Sequence, residues 1–343
     1  MAFDNRKAGL ENGIKIYLDV VRIVAAVLVL LGHSFYAYGI SVLKDDTYFP
    51  PVQSIAVVAF FWLSGFLMAY QFMNWGDDFS IKEFTIHKIR RIIPEYWICL
   101  LAVLGVDYLH LWMKPDGYNY GEAFNGLTFI GNMFFLQGVP IDGIGTKIQI
   151  FGSARPLWTL PVQWWFYFAT ASVYIVVKRK KIRITDLLFS AFIILLGIVL
   201  LKEFGFIFAL GIIGYFLYGK ISKCLGGLMG LGSGILFLAY EYLTRQVFSN
   251  YSVLLFSISL IGWAAFFRDS HYIPPKWLRS AGLISFELYL IHYSVIDYIS
   301  DILEDFNALF KFSLGIAISI IVSIAIFIIV DRTYKKIIKK LIR

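Results

Sequence analysis

"LDVVRIVAAVLVLLGHSF", residues 18–35, sets the problem that the rest of the chain must solve. With its flanks it supplies the run of about 20 apolar residues that crosses a bilayer, yet it carries Arg22 and His33. An ionisable side chain near mid-bilayer costs from roughly 3 to more than 10 kcal/mol, so such groups face a protein interior or a wet cavity. Eleven residues separate the two. At 100° per residue both project from one face of a helix, roughly 16 Å apart along its axis. Asp19 lies three residues before Arg22, within reach of it on the helix surface. One side of this helix therefore lines up a carboxylate, a guanidinium and an imidazole. The stretch is too long for the apolar part of a signal peptide and lacks a small-residue cleavage site, so it reads as a retained helix.

The remainder of the chain agrees with a membrane location. Of 343 residues, 59% are hydrophobic and 16% charged, with a mean hydropathy of +0.72. Soluble domains carry about a quarter charged residues. The expected fold is all-α: a polytopic bundle of about ten transmembrane helices in a single domain over 1–343, with no soluble domain appended. Candidate spans are 16–38, 53–73, 94–112, 157–177, 184–201, 204–219, 225–241, 251–267, 281–299 and 311–330. A further apolar run, 124–138, is short and interrupted by Asn125, Asn132 and three glycines.

Lysine and arginine concentrate in cytoplasmic loops, which decides whether 124–138 crosses. If it does not, 23 of the 31 lysines and arginines fall on one side. That side holds the loop with Lys82, Lys88, Arg90 and Arg91, the run "KRKKIR" (178–183) and the tail "DRTYKKIIKKLIR". Both termini are then cytoplasmic, and 113–156 becomes a long extracytoplasmic or re-entrant loop. The net charge of +8 is thereby explained by topology, and nucleic acid is not an expected partner. Cys99 and Cys224 fall in apolar runs and read as packing. No cluster has metal-ligand spacing, no phosphate-cradling glycine loop precedes a helix, and no nucleophile elbow is present.

A neutral imidazole can take a proton from a hydroxyl while an acyl carbon is attacked. A guanidinium can hold a phosphate or stabilise developing negative charge. Both suit acyl transfer, and both suit a proton-coupled transporter or exporter of a glycan or metabolite. The first helix alone leaves these alternatives open.

Five stretches in order resemble the membrane-bound acyltransferase 3 family. They are the arginine, ten residues and histidine of "YLDVVRIVAAVLVLLGH", then "FFWLSGFLMAY" (60–70), "HKIRRIIPEYW" (87–97), "PLWTLPVQWWFYF" (156–168) and "SFELYLIHYSV" (285–295). The resemblance implies transfer of an acyl group, most often acetyl from acetyl-CoA, to hydroxyls of surface polysaccharides or other glycans at the inner membrane. It implies no permanently bound cofactor; acyl-CoA is the donor substrate, and the partners are a carbohydrate acceptor and the lipid bilayer, with a homo-oligomer allowed. His33 matches the family's essential histidine, acting as general base, and Arg22, beside Asp19, its paired arginine. The family's cytoplasmic Arg-x-x-Arg, associated with CoA, aligns with Lys88 and Arg91, with Arg90 between them. Lysine keeps the charge and loses the bidentate fork. The glutamate usual after "L-P-V" is Gln163 here, so any carboxylate role at that position is lost or moved; an inactive member serving as a scaffold would also carry this change.

Trp158, Gln163, Glu287, Tyr289 and His292 are the remaining candidates, read as positioning the substrate. Glu287 and His292 are five residues apart and point in different directions. His87 belongs to the basic cytoplasmic region, while His110 and His271 fall near interfaces without an assigned role.

Overall fold

The computed structural model describes residues 10–40, 51–76, 79–138, 147–178 and 204–341, with a few isolated positions between 184 and 191. Ten α-helices are traced among them: α1 (Asn12–Ala37), α2 (Val52–Trp75), α3 (Ile81–Met113), α4 (Gly126–Met133), α5 (Thr159–Lys178), α6 (Phe204–Leu217), α7 (Lys223–Thr244), α8 (Asn250–Phe267), α9 (Lys276–Ile302) and α10 (Ala308–Leu341). Six helices in the described residues are long and apolar enough to cross a membrane. α1 and α9 are 26 and 27 residues long, which is ample length for a span. The predicted span at 184–201 and the basic run at 178–183 lie almost wholly outside the described residues.

Two boundaries differ from the sequence reading. The sequence pattern starts the third span at residue 94, with Lys88, Arg90 and Arg91 in a loop before it. Instead α3 begins at Ile81 and runs through Pro94, so all three basic residues are helical. Proline inside a helix removes one hydrogen bond, here to the Arg90 carbonyl, without having to end the helix when neighbours support it. The last helix likewise continues past residue 330 to Leu341. The run at 124–138, by contrast, contributes only the eight residues of α4. At 1.5 Å per residue these reach about 12 Å, well short of the roughly 30 Å hydrocarbon core.

The chain forms two compact units. The first comprises Met1–Ala25, Asp46–Ile81 and Val162–Arg279, and so includes α2, α6, α7, α8 and the first half of α1. Its helices approach at glycines, as expected where lipid removes the hydrophobic drive and close backbone packing must replace it. A Cβ on Gly65 of α2 would sit 2.0 Å from the Phe208 carbonyl oxygen, and one on Gly211 of α6 would sit 2.1 Å from that of Trp62. Between α7 and α8, Gly262 would meet the Gly230 nitrogen at 2.4 Å and the Gly226 carbonyl oxygen at 2.7 Å. The opposite face of α7 exposes Leu225, Leu228, Leu231, Ile235, Leu236 and Leu238, an apolar surface suited to lipid. Tyr17 of α1 donates to the Leu260 carbonyl on α8 at 2.8 Å.

The second unit comprises Ala26–Asp45, Lys82–Pro161 and Ser280–Arg343. Here the second half of α1 meets α9 and α10. Ser300 donates to the Ala37 carbonyl at 3.0 Å, and Phe35 stacks on Phe312 with centroids 5.1 Å apart. The segment after α3 is laid over that helix by buried hydrogen bonds. Tyr96 donates to the Asn132 carbonyl at 2.9 Å, Trp97 to that of Met133 at 3.0 Å, and Gln137 to that of Leu157 at 3.2 Å.

Gly262→Val forces apart the α7–α8 crossing, where the obstructing atoms are backbone. Overpacking of this kind costs about 1–3 kcal/mol, so the melting temperature of the detergent-purified protein should fall. An unchanged transition would contradict the close-packed crossing.

Candidate functional site

His33 lies in the second unit, near the C-terminal end of α1. Its imidazole meets two rings from α9 edge-on: His292, with centroids 5.2 Å apart, and Tyr293, with centroids 5.0 Å apart. His33 is partly buried and forms no hydrogen bond within the described residues, so its ring nitrogens are unengaged there. His292 is 1% exposed. Its Nδ1 lies 2.9 Å from the Leu288 carbonyl oxygen, which can only accept, so Nδ1 carries the hydrogen and Nε2 is a bare acceptor. That Nε2 is buried and without a partner among the described residues. The resulting pair sets one imidazole with unengaged nitrogens beside a second, fixed one.

Tyr293 extends the site. Its hydroxyl lies within electrostatic range of that of Tyr120, and Tyr120 donates to Asp297 Oδ1 at 2.9 Å. Burial, and then the Asp297 carboxylate, push the Tyr120 hydroxyl above its ordinary pKa, so it remains a donor. Arg155 places its guanidinium 5.7 Å from the centroids of both Tyr120 and Tyr293, within cation–π range. Asp297 stands four residues beyond Tyr293 on α9, which brings both to one helical face.

The stretch just before Arg155 is fixed by a buried carboxylate. Asp107 of α3 accepts from the Ser153 backbone N–H at 2.9 Å and from the Ser153 hydroxyl at 2.5 Å. Gly152 precedes it with a φ of +51°, and a Cβ there would lie 1.8 Å from Asp107 Oδ2. Only glycine accommodates both the left-handed backbone and the approach. One turn along α3, His110 pairs with Asp301 of α9 at 3.1 Å, which ties these two helices together.

The other predicted residues are distributed more widely. Arg22 pairs with Asp19 at 3.1 Å, both partly exposed, in the first unit. Gln163, also in the first unit, donates to the Ser64 hydroxyl, which itself donates to the Phe60 carbonyl at 2.8 Å. The amide thus makes a helix-to-helix hydrogen bond. Tyr289 is buried, with its hydroxyl 2.8 Å from that of Thr159 and donating to the Pro156 carbonyl at 3.1 Å, so it ties α9 to the start of α5. Trp158 is half-buried at the end of the 3-10 turn Arg155–Trp158. Glu287 is fully buried, with both carboxylate oxygens unpartnered among the described residues. It lies within electrostatic range of Glu95 on α3 and makes no ring contact or hydrogen bond with the His33 group. Of the basic trio on α3, Arg90 and Arg91 are exposed, whereas Lys88 is 4% exposed with its ammonium 5.3 Å from the Phe84 ring centroid.

The acyltransferase domain family matches residues 15–330. The chain belongs to the acyltransferase 3 family. The match runs across both compact units and takes in His33 as well as the α9 residues facing it. An O-acetyl transferase of Shigella phage Sf6 is 27% identical over 182 residues, which is 52% of this chain and 52% of that protein. The chain thus spans about half the length of that relative. No solved structure matches the chain.

Arg155, Tyr120, Tyr293 and Asp297 were not singled out from the sequence of this acyltransferase 3 member. Two signals pointed at them: Arg155 immediately precedes the "PLWTLPV" stretch, and Tyr293 immediately follows His292. Asp107→Ala should leave the Ser153 N–H and hydroxyl without their acceptor, at about 1–3 kcal/mol. Hydrogen–deuterium exchange should then show lost protection at residues 151–155; unaltered protection would remove Asp107 as the anchor.

Proposed function

We propose that this protein is a membrane O-acyltransferase that moves an acyl group, acetyl in the first instance, from cytoplasmic acyl-CoA to a hydroxyl of a surface or lipid-linked carbohydrate. Family membership supports the reaction class. The observation that carries the site is the open imidazole of His33, walled by His292 and Tyr293. Its free nitrogens suit it to take the acceptor's proton. His292, with Nδ1 committed to the Leu288 carbonyl, positions His33 by presenting a fixed acceptor face. Tyr289 and Trp158 shape the wall at the start of α5.

In this reading the protein is one functional domain of ten spans in the inner membrane, with both termini cytoplasmic, and the segment 113–156 faces outward. The basic cytoplasmic end of α3 then receives the CoA phosphates. Arg90 and Arg91 are exposed there for charge-assisted contacts, while Lys88 contributes field from a buried position over Phe84. Arg22 and Asp19 support His33 from the same helix, in the role the family resemblance gives them. Gln163 replaces a glutamate with a group that keeps a hydrogen bond to Ser64, so the reaction does not draw on a carboxylate at that point.

The deciding experiment incubates nanodisc-embedded protein with radiolabelled acetyl-CoA and a glycolipid extract of the producing cell. Label should appear on carbohydrate with the native protein and fall to background with His33→Ala at equal expression. A transporter would leave no covalent label on sugar, and undiminished labelling by His33→Ala would refute the base assignment.

Arg90→Ala combined with Arg91→Ala should raise the KM for acetyl-CoA about tenfold or more, since each charge-assisted hydrogen bond lost is worth about 1.5–3 kcal/mol. The KM for the glycan should hold. An unaltered acetyl-CoA dependence would place the donor site elsewhere.

A further inference from the structure

The arginine on α1 is held by Asp19 roughly three turns from His33, which leaves open what group answers the negative charge formed next to the imidazole. From the arrangement around Tyr293 we propose that Arg155 holds the acyl carbonyl oxygen at His33 and stabilises the oxyanion of the transfer step. This rests on the acyltransferase reading above and assigns the electrophilic half of that same site.

Three observations converge on Arg155. The first is position: Tyr293 touches His33 on one side, with centroids 5.0 Å apart, and carries the Arg155 guanidinium 5.7 Å from its own centroid. A reacting carbonyl must lie about 3 Å from both the attacking nucleophile and its oxyanion donor, and the imidazole and the guanidinium pack on one ring within electrostatic range of each other. The second is availability. Arg155 is exposed, and among the described residues its side chain has no ion pair or hydrogen bond, so all five guanidinium N–H donors are free. Asp297, the carboxylate hydrogen-bonded beside it, is engaged by the Tyr120 hydroxyl.

The third is preorganisation. The Arg155 backbone N–H donates to the Ser153 carbonyl at 2.7 Å, and Ser153 is itself clamped by Asp107. On the other flank, the Pro156 carbonyl accepts from Tyr289 and Thr159. The side chain therefore leaves a fixed backbone and lies over two tyrosine rings. The fixed backbone and the two rings reduce the rearrangement its donors need when charge develops, and preorganised donors lower a barrier most.

His33 takes the proton of the acceptor hydroxyl as its oxygen bonds to the thioester carbon. The carbonyl π pair moves onto oxygen, where Arg155 donates to it. When the carbonyl re-forms, the carbon–sulfur bond breaks, and the thiolate takes the proton from His33. The products are the ester and free CoA thiol.

The test measures steady-state acetyl transfer from acetyl-CoA to methyl glycosides, neutral and uronate-bearing, by protein in nanodiscs. Arg155→Ala should lower kcat about 10²–10³-fold, the usual loss for one oxyanion donor, with the acceptor KM unchanged. Arg155→Lys should recover part of the rate, and added guanidinium ion should partly rescue Arg155→Ala, which a merely structural role would not permit. A melting temperature equal to that of the native protein confirms the fold. Wild-type kcat in Arg155→Ala overturns the assignment. So does a loss confined to KM for uronate acceptors, which would make Arg155 a reader of acidic sugars. If the native protein transfers and His33→Ala does not, such results fell the arginine assignment alone. If no glycoside is acetylated even by the native protein, or if His33→Ala transfers normally, the acyltransferase reading itself fails and the assignment with it.

Discussion

An ionisable ring inside an apolar helix is stable only where other polar groups accept it, and in this protein that constraint organises the second unit. His33 sits on a helix whose neighbours are mostly valine, leucine and alanine. What makes its position tenable is α9, which turns His292 and Tyr293 toward it. The polar character then spreads through Tyr120 to Asp297 and is held in place by ties between α3, α9 and the segment after α3. Remove those ties and the rings that pack against the imidazole lose the supports that fix them.

The segment between α3 and α5 is where local sequence and function meet. It is polar and glycine-rich, and among its described residues the α-helix is α4, eight residues long. Its backbone groups are satisfied instead by side chains of α3 and by its own Asn132, whose amide bonds the Thr128 and Gln149 carbonyls, both at 2.8 Å. A loop with buried backbone must account for those groups, and here the accounting yields a rigid platform for Tyr120 and Arg155. Precision at a functional site built on irregular chain depends on such anchoring.

Much of this was legible in the sequence, for identifiable reasons. Long apolar runs marked most of the helices because a membrane helix needs uninterrupted hydrophobicity, and the spacing of Arg22 and His33 followed from helix geometry alone. The start of α3 was not legible, since Pro94 and the basic cluster before it both read as a boundary, while bundle packing carries the helix through. Nor was the partner of His33. Helical periodicity shows which residues share a face of α9, but not which face meets α1, so His292 could be suspected while Tyr293 and Asp297 were passed over. Arg155 was hidden for a different reason: its placement depends on the Asp107–Ser153 clamp, a contact across 46 residues that no local pattern encodes.

The central claim is geometric: the acyl carbonyl is delivered to the open imidazole of His33 and not to another polar group in the bundle. Determining the structure with a non-transferable thioether analogue of acetyl-CoA bound tests it most directly. The account predicts the acyl group seated against His33 and Tyr293, with its carbonyl about 3–4 Å from the imidazole and its oxygen toward Arg155. An analogue whose acyl group lies at Glu287 or elsewhere, with His33 packed away from it, would contradict the account.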